Sequence, residues 1–167
     1  MLTARDIMMR KLVKLRPDTT IVHAARILVR KGLSGAPVVD DTGKLLGFLS
    51  ELDVLRIVAA DDFSHEDFEE SDPVSDFMTT DVQTIPPHVG IFSIAHMFVE
   101  HRIHKLPVVE NGILIGQVRR RDVLLGISKM RKRRLQRSKA GMRPNGEPSL
   151  YLSATDSSPA IIARKLK

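Results

Sequence analysis

Two short motifs place an aspartate three residues after a side chain that can donate a hydrogen bond. The first pairs Ser50 with Asp53, and the second pairs Arg119 with Asp122. At the start of a helix such an aspartate can bond back to the residue before the helix, which is the arrangement of a capping box. A helix N-terminus also favours anions, so the same side chains could instead contact a bound phosphate. Both interpretations are open for Ser50 and Asp53.

No pattern typical of catalysis accompanies these motifs. The sequence has no cysteine, which excludes disulfides, thiolate zinc sites and cysteine nucleophiles. Its six histidines are scattered singly, and it has no glycine-rich phosphate loop and no paired general acid and base at a fixed spacing. Carboxylates cluster at 61–73, but without the ligand spacing of a known metal site. We therefore predict no catalytic residue, no metal site and no required cofactor: the protein is not an enzyme.

The positive charge of the chain is concentrated at its C-terminal end. The net charge is +6, but residues 128–167 hold eleven Lys or Arg against two acidic residues. That segment carries +9, so residues 1–127 carry a net charge of −3. Any attraction to a polyanion therefore belongs to the C-terminal segment and not to the body of the protein.

The rest of the composition indicates a soluble globular protein. Hydrophobic residues make up 43% of the 167, enough for one core of ordinary size or two small ones. No apolar run approaches the roughly 20 residues that cross a bilayer, and the N-terminus lacks the apolar stretch of a signal peptide. We expect no transmembrane segment and a cytoplasmic location.

An internal repeat relates the two halves of residues 1–128. A shift of 70 residues aligns nine identical residues, and after the loss of one residue a shift of 69 aligns six more. The first group is Asp6, Met8, Pro17, Ile21, Ala25, Val29, Pro37, Val38 and Val39, and the second is Gly43, Leu45, Gly47, Asp53, Val54 and Leu55. Each copy spans about 55 residues, too few to bury much surface alone, so the copies should pack together.

Each copy predicts the same order of elements, β-α-β-β-α. A short strand (Leu12–Arg16, Val82–Ile85) precedes a helix with apolar residues at i, i+3, i+4 and i+7, starting at Ile21 or Ile91. Short buried strands follow at 36–39 and 106–109, with Gly32 suited to the C-cap of the first helix. Turn residues at 41–43 and 111–112 lead to returning strands at 45–49 and 113–118. The last helices begin near Glu51 and Arg120.

The predicted organisation is therefore an α+β protein with two repeats packed as a pseudo-twofold pair. The first repeat covers residues 1–60 and the second covers 74–128. An acidic linker occupies 61–73, and a basic, partly irregular tail occupies 129–167.

The repeated unit resembles a tandem pair of cystathionine β-synthase (CBS) domains, a Bateman module. The resemblance rests on GAPVVDDTGKLLGFLSELDVL and KLPVVENGILIGQVRRRDVL and covers residues 1–128. It implies a regulatory module with two clefts between the repeats that bind adenosyl compounds: AMP, ADP, ATP or S-adenosylmethionine. It also implies association into homodimers. The regulated protein would then be a separate chain.

The resemblance implies a first cleft that joins the two repeats. Its most informative motif, a hydroxyl residue followed by aspartate, is matched by Ser50 and Asp53, whose carboxylate would hold the ribose hydroxyls. Thr84, His104 and Lys105 of the second repeat would complete this cleft, with the two basic side chains beside the phosphate. Surface exposure is the alternative interpretation of His104 and Lys105.

The implied second cleft departs from the family pattern. It would combine Arg119 and Asp122 with Lys14, Ser34 and Gly35, so Arg119 replaces the motif hydroxyl and Lys14 replaces a common threonine. The arginine could occlude the cleft, could bind a di- or triphosphate through its planar donors, or could be a solvated basic turn.

The basic tail supports a different function. Seven of the eleven residues Lys129–Lys139 are Lys or Arg, a composition that could contact nucleic acid, anionic lipid or an acidic surface of a neighbouring subunit. The alternative to a nucleotide sensor is therefore a non-catalytic dimeric scaffold whose tail binds nucleic acid or another polyanion. Solubilising charge is the simplest interpretation of the same residues.

Overall fold

A computed structural model of the chain describes residues 1–60 and 72–140. The chain divides into two units, Met1–Ile127 and Ser128–Lys167. Residues 61–71 of the acidic linker predicted at 61–73, and residues 141–167 of the tail predicted at 129–167, lie outside the described residues. Both repeats lie within the first unit up to Ile127, and the last helix of the second repeat continues into the second unit.

The first unit alternates helices with two hairpins, which confirms the α+β prediction. The first repeat contains α1 (Ala4–Ile7), α2 (Ile21–Lys31), β1 (Gly35–Val39), β2 (Leu45–Ser50) and α3 (Glu51–Ala60). The second contains a 3₁₀ turn (Val74–Asp76), α4 (Ile91–Glu100), β3 (Lys105–Glu110), β4 (Ile113–Arg119) and α5 (Arg120–Ala140). The short α1 helix and the 3₁₀ turn begin 70 residues apart, so they are repeat equivalents that the sequence pattern did not predict.

The predicted opening strand of each repeat is reduced to a single paired residue. Leu15 forms a parallel bridge with Val38, and Ile85 forms the equivalent bridge with Val108. Leu15 donates its N–H to the carbonyl of Pro37 and accepts from the N–H of Val39. Pro17 lies two residues after Leu15, and Pro86 directly follows Ile85; neither proline has an N–H to extend the pairing.

Local sequence signals set the ends of the helices and the turns of the hairpins. Gly32 adopts φ 59° and ends α2 by donating to the carbonyls of Leu28 and Val29, as predicted for its C-cap. In the β3–β4 turn Asn111 and Gly112 both have positive φ, 52° and 81°. Positive φ at both central residues is the geometry of a tight hairpin turn, which asparagine and glycine favour.

The two repeats pack through exchanged backbone pairs that obey the pseudo-twofold relation. Met9 exchanges two hydrogen bonds with Gln117 on β4, and Thr79 exchanges two with Phe48 on β2. The hairpin tips also meet, because Leu45 donates to the carbonyl of Gly112. Each repeat therefore contributes a segment to the other's hairpin, and the pair forms one packed unit.

Apolar helix stripes pack over the hairpins to form the core. Three residues of α2 at the predicted spacing are at most 2% exposed, and their equivalents on α4 are at most 5% exposed. These are Ile21, Ala24 and Leu28, with Ile91, Ile94 and Phe98. The stripes fix the helices against the sheets and so fix the loops from which the candidate site is built. Over 1–60 and 72–140, no helix is long and apolar enough to span a membrane.

Candidate functional site

Ser50 and Asp53 form a complete capping box at the start of α3. The Asp53 carboxylate accepts from the Ser50 N–H at 2.9 Å and from its hydroxyl at 2.6 Å through the same oxygen, Oδ2. The Asp53 N–H donates to the Ser50 hydroxyl at 3.1 Å. The other oxygen, Oδ1, has one long contact with Arg56 at 3.4 Å. The cap therefore uses one carboxylate oxygen and leaves the other with spare acceptor capacity, so capping and ligand binding are compatible.

Ser34 lies beside this motif, which corrects its predicted place in the second cleft. The antiparallel register pairs Gly35, the first residue of β1, with Ser50, the last residue of β2. The residue before β1 must then lie next to the start of α3, and Glu51 donates its N–H to the Ser34 carbonyl at 3.2 Å. Ser34 thus lines the same cleft as Asp53, and Gly35 lies beside it as a buried residue.

One cleft of about 420 Å³ joins this motif to the second repeat. It is lined by Ser34, Phe48, Ser50, Leu52, Asp53, Arg56, Thr79, Asp81, Val82, Gln83, Arg102, Ile103, His104, Lys105 and Pro107. Four of the five residues predicted for the first cleft are among them, contributed by both repeats. The cleft mixes carboxylates, hydroxyls and cations around an apolar wall that includes Phe48, Leu52 and Pro107.

Thr84 is exposed and does not line this cleft. The residue after it, Ile85, is buried by its bridge to Val108, so the chain has already turned toward the core. Thr79, Asp81 and Gln83 line the cleft instead. They are brought there by the exchange between Thr79 and Phe48, a contact between repeats that no local pattern reveals.

Phe48 is a cleft residue that strand periodicity could have identified. It lies two residues before Ser50 on β2, and residues two apart on a strand share a face. The ammonium of Lys105 lies 5.7 Å from the centre of the Phe48 ring, within the range of a cation–π contact. An aromatic face at this point offers the planar apolar surface that a nucleobase or a cation could cover.

Lys105 is the half-buried cation of the cleft. Its Nζ donates to the carbonyl of Gly35 at 3.1 Å across the repeat boundary. Burial lowers the pKa of Lys105; the Glu51 carboxylate opposes this shift, and the positive charge of Arg119 adds to it. A cation held in partly desolvated surroundings without a hydrogen-bonded carboxylate would be stabilised by a bound anion.

Position 35 requires a glycine because a side chain there would clash with its neighbours. Its φ is 153°, and a Cβ added there would come within 2.5 Å of the Phe48 ring and 2.8 Å of the Leu49 carbonyl. The close approach leaves the Gly35 carbonyl open to Lys105. Gly35 does not itself line the first cleft, but its carbonyl accepts from Lys105, which does.

The second motif differs from the first in the use of its carboxylate. Arg119 Nε lies 3.0 Å from Asp122 Oδ2, and Arg119 Nη2 lies 3.0 Å from Oδ1. The backbone N–H of Arg119 also donates to Oδ2 at 2.9 Å. This bidentate pair raises the pKa of Arg119 and occupies both oxygens of Asp122. Lys14, the remaining residue predicted for this cleft, is exposed.

The described residues offer no candidate metal centre. No group of three or more His, Asp or Glu that could hold a metal ion occurs in residues 1–60 and 72–140.

The doubled α+β unit with a cleft between its halves defines a tandem repeat module. The model of the CBS domain matches residues 4–60 and 74–129. The chain belongs to the CBS-domain family and carries a tandem pair of these domains, as the sequence resemblance predicted.

Solved structures and curated proteins with the same repeat are similar to this chain. CBSX2, solved in complex with AMP, is 27% identical with a TM-score of 0.69, and the match covers 78% of this chain and 99% of that one. A putative acetoin utilization protein (AcuB) from Vibrio cholerae is 25% identical with a TM-score of 0.70, covering 81% and 97%. Inosine-5'-monophosphate dehydrogenase of Aquifex aeolicus is 33% identical over 67% of this chain, which spans only 22% of that enzyme.

Proposed function

We propose that this protein is a non-catalytic regulatory module that binds an adenosyl compound in the first cleft and signals to a separate protein. The observation that carries the proposal is one cleft of about 420 Å³ in which Ser50 and Asp53 of one repeat face His104 and Lys105 of the other. The similarity to CBSX2, which was solved with AMP, supports this class of ligand. AMP, ADP, ATP and S-adenosylmethionine are the candidates.

The two sides of the cleft suit the two ends of a nucleotide. Asp53 Oδ1, with its one long contact to Arg56, has lone pairs available for ribose hydroxyls. Lys105 and His104 supply donors for a phosphate, and burial, which lowers the pKa of Lys105, leaves its ammonium partly desolvated. Bound in this way, one ligand would contact both repeats at once.

The second cleft is proposed to hold no adenosyl ligand. Arg119 already fills the acceptor positions of Asp122 that a ribose would need, with contacts of 3.0 Å to each oxygen. Ligand binding at Asp122 would have to displace this bidentate pair. We therefore assign one nucleotide to each chain.

Occupancy of the cleft is proposed to be transmitted through a homodimer. Three residues of α3 line the nucleotide cleft, namely Leu52, Asp53 and Arg56. Val54, which directly follows Asp53, lines an apolar groove that is otherwise formed by α2. A second apolar groove, between α4 and the start of α5, shares Arg102 with the cleft. Surfaces that could pack against a second copy therefore adjoin the site where the ligand would bind.

The test is isothermal titration calorimetry of the Asp53→Ala variant with each candidate ligand. Loss of the ribose contact should weaken nucleotide binding by at least ~1.5 kcal/mol, roughly tenfold. Asp122→Ala is the matched control, because it removes the equivalent helix cap and should leave affinity within twofold of the parent. GTP and inorganic polyphosphate test base and phosphate specificity.

Unchanged affinity in Asp53→Ala, or an equal loss in Asp122→Ala, would contradict the assignment of the ribose to Asp53. Equal binding of polyphosphate and AMP would mean that the cleft selects charge and not an adenosyl group. Thermal denaturation of both variants checks that the fold is retained. Each variant should lose about 1 kcal/mol of folding stability through the loss of its helix cap alone.

A further inference from the structure

The part of α5 beyond Ile127 is rich in positive charge, and none of its residues is among those that line the nucleotide cleft. Between Ser128 and Ala140 the sequence has seven Lys or Arg, and no Asp or Glu occurs between Asp122 and Glu147. The structure shows the whole of this stretch as helix. We call Ser128–Ala140 the basic segment.

The basic segment has charge on all sides of the helix. All six residues of 131–136 are exposed, and Leu135 is 63% exposed. Lys129, Lys132 and Arg133 are spaced three and four residues apart and share one side. Successive residues turn by about 100°, so the neighbouring cations Arg131 and Arg134 lie on other sides. No described residue of 131–136 contributes to a buried face.

Like charges at these spacings destabilise an isolated helix. No carboxylate within the segment offsets them, since the acidic residues of α5 end at Asp122. A row of external anions along the helix would relieve the repulsion. The segment therefore has the charge pattern of a surface that is completed by a polyanion.

We propose that the basic segment binds the phosphate backbone of double-stranded nucleic acid without reading its sequence. Thirteen helical residues extend about 20 Å, and a duplex presents one phosphate charge about every 1.7 Å of its axis. About twelve phosphates of the two strands therefore lie within the length of the helix. The long, flexible side chains on several sides suit a partner whose charges flank a groove.

A duplex fits the segment better than a membrane or a single strand. A helix that inserts into a membrane interface needs an apolar face opposite the charged one. The two apolar side chains, Met130 and Leu135, lie about 140° apart around the helix and do not form such a face. Single strands are held by bases stacked on aromatic rings, and the basic segment contains no aromatic residue.

The test measures binding of the full chain to a fluorescently labelled 20-base-pair DNA duplex by anisotropy over a series of salt concentrations. The variant changes Lys129, Arg131, Lys132, Arg133 and Arg134 to Gln. A charge-matched control changes five exposed cations of the first unit to Gln, namely Arg10, Lys11, Lys31, Lys44 and Arg121. We expect the parent chain and the control to bind with a steep salt dependence.

The basic-segment variant should bind at least tenfold more weakly at low salt. The slope of log affinity against log salt should fall by roughly 0.9 for each lost phosphate contact. A second duplex of unrelated sequence should bind as tightly as the first.

Three results would overturn the proposal. An equal loss in the control would show that the attraction is a property of net charge and not of the segment. Tighter binding to a single strand, or to vesicles rich in phosphatidylserine, would assign the segment to that partner. Absence of duplex binding at 50 mM salt would leave the charge as solubilising. Circular dichroism of both variants checks that the fold is retained.

Discussion

A single side chain distinguishes the two helix-capping motifs of this protein. Ser50 caps α3 and leaves Asp53 Oδ1 with one long contact, whereas the Arg119 guanidinium donates a hydrogen bond to each of the two oxygens of Asp122. The two repeats therefore provide an internal comparison: the aspartate is the same in both, and the residue three positions before it differs. Arg119, the residue at which the sequence departs from the family motif, therefore occupies the carboxylate that the first motif leaves partly available.

Arg119→Ser should convert the second motif into a copy of the first. Removal of the guanidinium frees the Asp122 carboxylate, and the new hydroxyl can cap α5 as Ser50 caps α3. Calorimetry should then show the stoichiometry rise from one adenosyl ligand per chain to two. Arg121→Ser removes the same charge two residues away and should keep a stoichiometry of one. A value of one in Arg119→Ser would show that another feature closes the second cleft.

Lys105→Met should separate phosphate recognition from nucleoside recognition. Loss of a charged hydrogen bond costs roughly 1.5–3 kcal/mol, so AMP affinity should fall about 10- to 100-fold while adenosine affinity stays nearly constant. Lys44→Met, at an exposed position, should leave both unchanged. If AMP and adenosine lost affinity equally, Lys105 would contact the nucleoside or support the cleft wall.

The lowered pKa of Lys105 also predicts how stability and binding depend on pH. Burial disfavours the charged form in the folded state, so the unfolded chain binds more protons between the lowered pKa and the usual value of 10.5. The contribution of Lys105 to stability therefore rises with pH through that window. AMP binding should change in the opposite direction, weakening as the ammonium is lost. Lys105→Met should remove both dependences, as followed by denaturation and calorimetry.

At the scale of elements, local patterns predicted the helices and hairpins but not the contacts between repeats. The stripe on α2, the cap at Gly32 and the turn at Asn111 depend on residues within a few positions, and the structure has them as predicted. Ser34 was assigned to the wrong cleft because its position follows from the β1–β2 register. Thr79 and Asp81 were missed because an exchange with β2 brings them to the cleft.

Glycines at the exchanged pairs mark how tightly the repeats pack. A Cβ on Gly116 would come within 2.5 Å of Met8 Sδ, and one on Gly47 within 2.6 Å of Met78 Sδ. At Gly47 a backbone atom, the Thr79 carbonyl, is also only 2.8 Å away, whereas at Gly116 the nearest backbone atom lies at 3.1 Å. A flexible methionine side chain limits the space at Gly116. At Gly47 a methionine side chain and the rigid backbone of Thr79 both limit it.

Gly116→Ala and Gly47→Ala should each destabilise the fold by about 1–3 kcal/mol in urea denaturation. A second substitution, Met8→Ala, should offset part of the cost at Gly116, giving a favourable coupling energy in a double-mutant cycle. Met78→Ala should offset less at Gly47, because the Thr79 carbonyl remains. Equal rescue at both positions would argue against the backbone contact as the limiting one.

At the scale of the whole molecule, the repeat leaves equivalent apolar side chains exposed. Val29 and Val99 are each 79% exposed, and Leu55 and Leu124 are 61% and 67% exposed. Each pair occupies corresponding positions in the two repeats, and Val29, Val99 and Leu124 line apolar grooves. Solvent-facing apolar positions repeated in this way are typical of an association surface.

Val29→Asp together with Val99→Asp should therefore convert a homodimer into a monomer. Burying two carboxylates in an apolar interface without partners is costly, while the same side chains are tolerated in solvent because both valines lie outside the core. Light scattering coupled to size exclusion measures the mass directly. Thr80→Asp with Asn111→Asp, at exposed positions that do not line the grooves, controls for added charge. A parent chain that is itself monomeric would contradict the dimer. A monomeric variant that still binds one nucleotide would show that the cleft is complete within one chain, so that association serves the transmission of the signal.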